Sequence, residues 1–130
     1  MAGSFSDYLE DKLLKHAFTN TSYTPATTLY VALYTAAPTD AGGGTQITGN
    51  GYARTSVAFT VSGTTTIATN SAAVEFPAAT ASWGTVVAVG IFDASTSGNL
   101  LAWADLTVNK TIDTGDIFRI PAGDLDITLS

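Results

Sequence analysis

Hydrophobic positions recur with two different periods along this chain, and the change between them falls near residue 20. Over residues 4–18, Phe5, Leu9, Leu13 and Ala17 follow at four-residue steps with Tyr8 beside them, which predicts one apolar stripe on a helix. Ser4 and Asp7, three residues apart, are the expected capping pair. Asp7, Glu10, Asp11, Lys12 and Lys15 lie mostly off the stripe. Asp11 and Lys15 stand at i,i+4, and acidic residues precede basic ones, as the helix dipole favours. Two uses of this helix stay open: packing on its own domain, or docking on a neighbouring subunit.

From residue 28 the pattern is that of strands. Leu29–Thr35 and Gly84–Asp93 are nearly continuous apolar runs, as expected of strands buried on both faces. Tyr52–Val61 predicts a strand with Val57, Phe59 and Val61 on one face. In Ala73–Pro77, Val74 and Phe76 alternate and Pro77 marks a strand end or an edge. Leu100–Leu106 reads as the hairpin partner of the 84–93 strand, through a turn at Ser95–Asn99. Ile117–Ile120 and Leu125–Leu129 close the chain, with Leu125, Ile127 and Leu129 on one face. Residues 36–51 form a long glycine-rich loop, and a Thr-rich turn covers 63–69.

About seven to eight short strands at roughly ten-residue spacing predict an all-β fold: a single β-sandwich or jelly-roll-like domain with one N-terminal α-helix. Residues 1–20 are then a helical arm and residues 21–130 the sandwich.

Composition narrows the function. The chain has no cysteine, only 12% charged residues and a formal net charge of −6. Its five cationic side chains, Lys12, Lys15, Arg54, Lys110 and Arg119, are scattered, so no nucleic acid partner is expected. The start of the chain is polar and acidic, and no apolar run approaches roughly 18 residues, so neither a signal peptide nor a membrane partner is expected. A sparsely charged surface of Thr, Ser, Ala and Gly suits a protein packed against other subunits.

Candidate chemistry is thin. His16 is the one histidine and has no Cys or acidic cluster in its neighbourhood, so a metal site is not expected there. No serine stands in a G-x-S-x-G context. Asp113, Asp116, Asp124 and Asp126 are read as solvated turn residues rather than a Ca²⁺ loop, whose oxygen-ligand spacing they lack. Gly42–Gly44 and Gly49–Gly51 have no following Lys or helix and are not a phosphate loop. Tyr and Trp residues on strands are read chiefly as packing, with a sugar platform as the lesser alternative. The chain is expected to be non-enzymatic and to need no cofactor.

Several segments resemble one family. They are Phe5–Leu14, Leu29–Gly42, Gly51–Arg54, Val74–Gly84, Val89–Asp93, Gly98–Trp103, and Asp113–Asp116 through Pro121–Leu125. In that order they resemble small structural proteins of tailed bacteriophages and prophages, over nearly the whole chain. Members are often labelled tail-fibre-like, and similar cyanophage proteins look like capsid cement (decoration) proteins.

The resemblance implies a virion protein with no catalytic residues. The first expectation is a cement subunit on the capsid surface, made in the host bacterial cytoplasm, that self-associates as a dimer or trimer and binds the major capsid protein. The alternative is a tail or tail-fibre-associated protein contributing to host attachment. Subunit contacts are expected from Phe5, Tyr8 and Leu9 on the helix stripe, and from Asp40, Gly43, Asn50, Tyr52 and Arg54 in and after the long loop. For Arg54, a carboxylate on a neighbouring subunit or one within the chain are both open.

Overall fold

The computed structural model describes residues 3–61, 63 and 66–128. Leu129, expected on the last strand, and Thr64 and Thr65 of the Thr-rich turn lie outside the described residues.

The apolar runs singled out above form the centre of the molecule. β2 (Leu29–Ala36) and β8 (Gly84–Phe92) pair antiparallel from Tyr30↔Phe92 to Tyr34↔Ala88. Val31, Ala32, Leu33 and Tyr34 are all buried, so both faces of β2 are covered, as its unbroken run predicts. β9 (Leu100–Ile112) is the hairpin partner of β8. It runs past the expected end at Leu106: pairing stops at Asp105↔Ala88, the chain bulges, and pairing resumes at Lys110↔Val86. That bulge scrambles the two-residue period and exposes Val108.

The N-terminal segment differs from expectation. Gly3–Phe5 is a strand, β1, paired with β9 through Phe5↔Ala102, and the helix α1 starts only at Asp7. Phe5 is therefore not on the helix stripe, and the cap is Ser6 rather than Ser4. Ser6 sits in extended backbone (φ −71°, ψ 157°) and its Oγ accepts from the Leu9 N–H at 3.2 Å. Its own N–H donates to the Leu101 carbonyl, and its hydroxyl to that of Leu100. Capping and sheet pairing thus meet in one buried serine, which fixes where the strand stops and the helix begins.

α1 runs Asp7–Phe18, with the expected Asp11–Lys15 pair at 3.0 Å. None of its residues is buried: Leu9 and Leu13 are half-covered, while Leu14 and Phe18 are exposed.

β3 (Thr45–Gln46) and β4 (Thr55–Val57) add to the same edge of β2, and complete a large antiparallel sheet. The expected Tyr52–Val61 strand is in fact two. After β4 the chain breaks at Ala58, and β5 (Phe59–Thr60) belongs to another sheet. Val57 is buried while Val61 is exposed, so the three-residue face does not hold across the break.

β5 pairs with β6 (Ile67–Asn70), and β6 with β11 (Asp126–Thr128). β7 (Val74–Glu75) pairs with β10 (Arg119–Ile120). These two small sheets and the residues flanking their strands supply Val74, Phe76, Phe118, Ile120 and Leu125 to the main core, against Val31, Leu33, Val89 and Ile91 of the large sheet. The result is an all-β, sandwich-like domain with one helix. The alternation of Val74 and Phe76, each 2% exposed, is as the sequence predicts.

The aromatic residues interlock in this core. Tyr52 stacks on Phe76 at 6.2 Å and meets Trp83 edge-on at 5.5 Å, and Phe76 meets Phe118 edge-on at 5.8 Å. Asn70, 1% exposed, is the polar knot of the second layer. Its Nδ2 donates to the carbonyls of Ala72 and Pro121, and its Oδ1 accepts from the Leu125 N–H.

Candidate functional site

The other face of the large sheet carries small residues at its centre. Ala32, Ala88 and Gly90 lie flat, and Tyr34, Phe92 and Leu100 pack over them. Gly90 permits this close cover: a Cβ at that position would stand 2.9 Å from both Tyr34 Cε1 and Leu100 Cδ1, and those side chains would have to shift. The N-terminus of α1, the 40–46 loop and residues 98–100 rise around this floor and enclose a cleft of about 510 Å³.

One wall is held by Asp40. Its Oδ1 accepts from the Trp103 indole N–H at 2.9 Å, and its backbone carbonyl accepts from the Asp7 N–H at 2.8 Å. Hydrogen bonding from Trp103, then from Ser4, holds the Asp40 carboxyl below the usual carboxylate range. Carboxylate oxygens of Asp7, Glu10 and Asp40 lie within 4.8 Å of one another, giving the cleft an acidic lip. Asp113, Asp116, Asp124 and Asp126 do not join such a group among the described residues. Asp116 Oδ2 accepts from the Asp113 N–H, and Asp126 accepts from the Thr69 hydroxyl.

Behind the cleft, Gln46 Oε1 accepts from the Tyr52 hydroxyl at 3.0 Å and from Arg54 Nε at 2.9 Å. The Tyr52 hydroxyl also accepts from the Leu33 N–H, and burial pushes its pKa up to about 12 against the opposing effect of that bond. Arg54 Nη1 donates to the carbonyls of Ala94 and Ser97 at 3.0 and 2.7 Å, and its guanidinium lies 3.7 Å from the Phe92 ring centroid. Arg54 is spent on the β8–β9 turn rather than on a carboxylate. On the far side of that turn, Asp93 accepts from the Asn99 backbone and side-chain N–H groups at 2.7 and 2.9 Å.

The structure thus brings Tyr8, Asp40 and Gly43 of the sequence-selected residues to one cleft. Leu9 is engaged in the Ser6 cap, Phe5 in the sheet edge, and Tyr52 and Arg54 behind Gln46. Asn50 lies elsewhere: its carbonyl accepts from Trp83 Nε1 and Thr80 N–H, and its side chain donates to Ser82. Sequence reasoning missed Tyr34, Gln46, Phe92 and Asn99. The available signal was Gly90, a glycine within an apolar strand, which marks a close approach.

Fold and cleft together define an all-β sandwich-like domain with one helix and a single-sided, acid-lipped hollow. A family model described as Podophage GP4 fiber I protein gp80 matches residues 4–128, and the chain belongs to that family. It is therefore a bacteriophage structural protein, and its place is in the virion. No match is found among the curated proteins. None of the described helices is long and apolar enough to cross a membrane.

Proposed function

We propose that the chain is a fibre-associated structural subunit of the phage tail that contributes to host attachment by binding, without catalysis. The observation that carries this reading is the extent of the family match, residues 4–128, which takes in α1 and both layers of the sandwich. That extent supports reading the fibre description for the domain as a whole.

The geometry is consistent with a subunit that is anchored at one place and free at another. Leu14 (59% exposed) and Phe18 (80% exposed) sit toward the C-terminal end of α1, and the cleft lies at its N-terminal end. A helix of 12 residues separates its ends by about 18 Å. In this reading the apolar end takes part in contact with other virion subunits, including copies of the same chain, and leaves the cleft open.

Immunogold labelling of purified particles, with quantitative mass spectrometry of the same sample, tests the assignment. Gold at the tail with a copy number far below that of the major capsid protein is expected. Gold over the head, with copies approaching those of the capsid subunits, would overturn it in favour of a capsid cement.

A further inference from the structure

Among the described residues, one largely buried tyrosine has a hydroxyl without a protein partner. Tyr34 is 3% exposed, its ring held over Gly90 beside Leu100 and Phe92. Among the described residues no group hydrogen-bonds its hydroxyl. A buried phenol ordinarily has a partner. Among the described residues, no side-chain N or O sealed from solvent lacks one. The small exposed part of Tyr34 therefore includes the hydroxyl, and the space Tyr34 lines is the cleft.

We propose that the cleft is a saccharide-binding site for a neutral or amino sugar, with the Tyr34 hydroxyl at its base. The assignment rests on the fibre reading for its presence on the outside of the particle. Its volume, about 510 Å³, lies in the range of small-molecule sites and admits roughly one or two sugar rings.

A sugar ring offers C–H faces together with hydroxyls that both donate and accept, and the lining answers each. Tyr34, Phe92 and Leu100 supply apolar ring edges and methyl groups. Around them stand groups with spare capacity. The Asp40 carboxylate keeps lone pairs beyond those taken by Trp103 and Ser4. The Gln46 amino group is left when its Oε1 takes Tyr52 and Arg54. The Asn99 Oδ1 is left when its Nδ2 goes to Asp93. These are two acceptors and a donor around a hydroxyl that does both.

Charge narrows the ligand further. Asp7 and Asp40 line the cleft and Glu10 joins their cluster, so uronic, sialic and phosphorylated sugars are repelled at the lip. A protonated amine on a sugar is favoured there.

Saturation-transfer NMR on the full chain, with panels of neutral, amino and acidic oligosaccharides, tests this directly. Neutral or amino members are expected to bind and acidic ones not. Tyr34→Phe keeps the ring and removes only the hydroxyl, so its melting temperature stays near that of the parent. Its affinity falls roughly three- to tenfold, the worth of one neutral hydrogen bond. Ala41→Trp, which fills the cleft from its exposed rim, abolishes binding.

Binding by no neutral or amino oligosaccharide overturns the proposal, as does preference for acidic ones or binding that survives both substitutions. These outcomes are separate from the location assay: tail-localised protein that binds no sugar defeats this inference alone.

Discussion

The indole N–H of Trp103 donates to Oδ1 of Asp40 at 2.9 Å, closing a separation of 63 residues between β9 and the glycine-rich loop. Through the Asp40 carbonyl the same residue holds the first N–H of α1, so loop, sheet and helix meet at one residue.

That junction is acid-sensitive. Asp40 titrates below its unfolded-state value because Trp103 and Ser4 hydrogen-bond its charged form. Its contribution to stability is therefore present in full above about pH 4 and is lost as pH falls through the folded-state value. In NMR spectra the Trp103 indole N–H resonance is expected to shift in that acid window. Asp40→Asn is expected to remove the titration and to speed amide exchange in residues 39–44.

Arg54 ties the β8–β9 turn to Gln46 through hydrogen bonds to three acceptors and lies over Phe92. Arg54→Ala is expected to cost about 1–3 kcal/mol in urea unfolding and to raise amide exchange across Ala94–Asn99. Arg54→Lys rescues little, because an ammonium does not reproduce the planar fork. Stability unchanged in both variants would mean that the turn holds itself.

Asn70 spends both ends of its amide inside the second layer. Asn70→Ala leaves the buried Leu125 N–H without its acceptor and removes a donor from the Ala72 and Pro121 carbonyls, and is expected to lower unfolding free energy by about 1–3 kcal/mol. Chemical denaturation reads this directly, and the 121–125 turn is the region expected to loosen first.

At high pH the critical group is Tyr52. Its folded-state pKa is pushed up to about 12 by burial, above the unfolded value near 10. Stability from keeping it neutral is complete below pH 10 and declines as pH rises toward 12. Tyr23 and Tyr34 are also raised by burial, and Tyr52→Phe is expected to remove the component of the tyrosinate absorbance that titrates toward pH 12.

Much of the fold is legible in the chain because β2 and β8 are nearly continuous apolar runs rich in Val, Ala and aromatic residues, a pattern that points to two-sided burial. The hairpin of β8 with β9 follows from the turn residues between them. Other features are set by distant partners. Phe5 fits a helical period as well as a strand, and only pairing with Ala102 decides between them. The split at Ala58 depends on which sheet each half finds. The β9 bulge leaves no local mark that separates it from a strand end.

The candidate site is less legible for the same reason. Tyr8, Asp40 and Gly43 were visible as unusual residues, but the cleft floor comes from β2, β8 and the start of β9. Tyr34 looks like any core aromatic until Gly90 is seen beneath it.

The glycine-rich wall has a bearing on how such a site changes over time. Gly42, Gly43 and Gly44 all hold left-handed backbone, at φ 100°, 80° and 75°. A Cβ on Gly44 would meet the Ala36 carbonyl and Pro38 at 2.7 Å, whereas Gly42 and Gly43 face open space but carry the torsional penalty of any L side chain. One side of the hollow is thus written in main chain and resists drift. Altered ligand preference then falls to the side chains that line the hollow, such as Tyr8, Ala41 or Gln46.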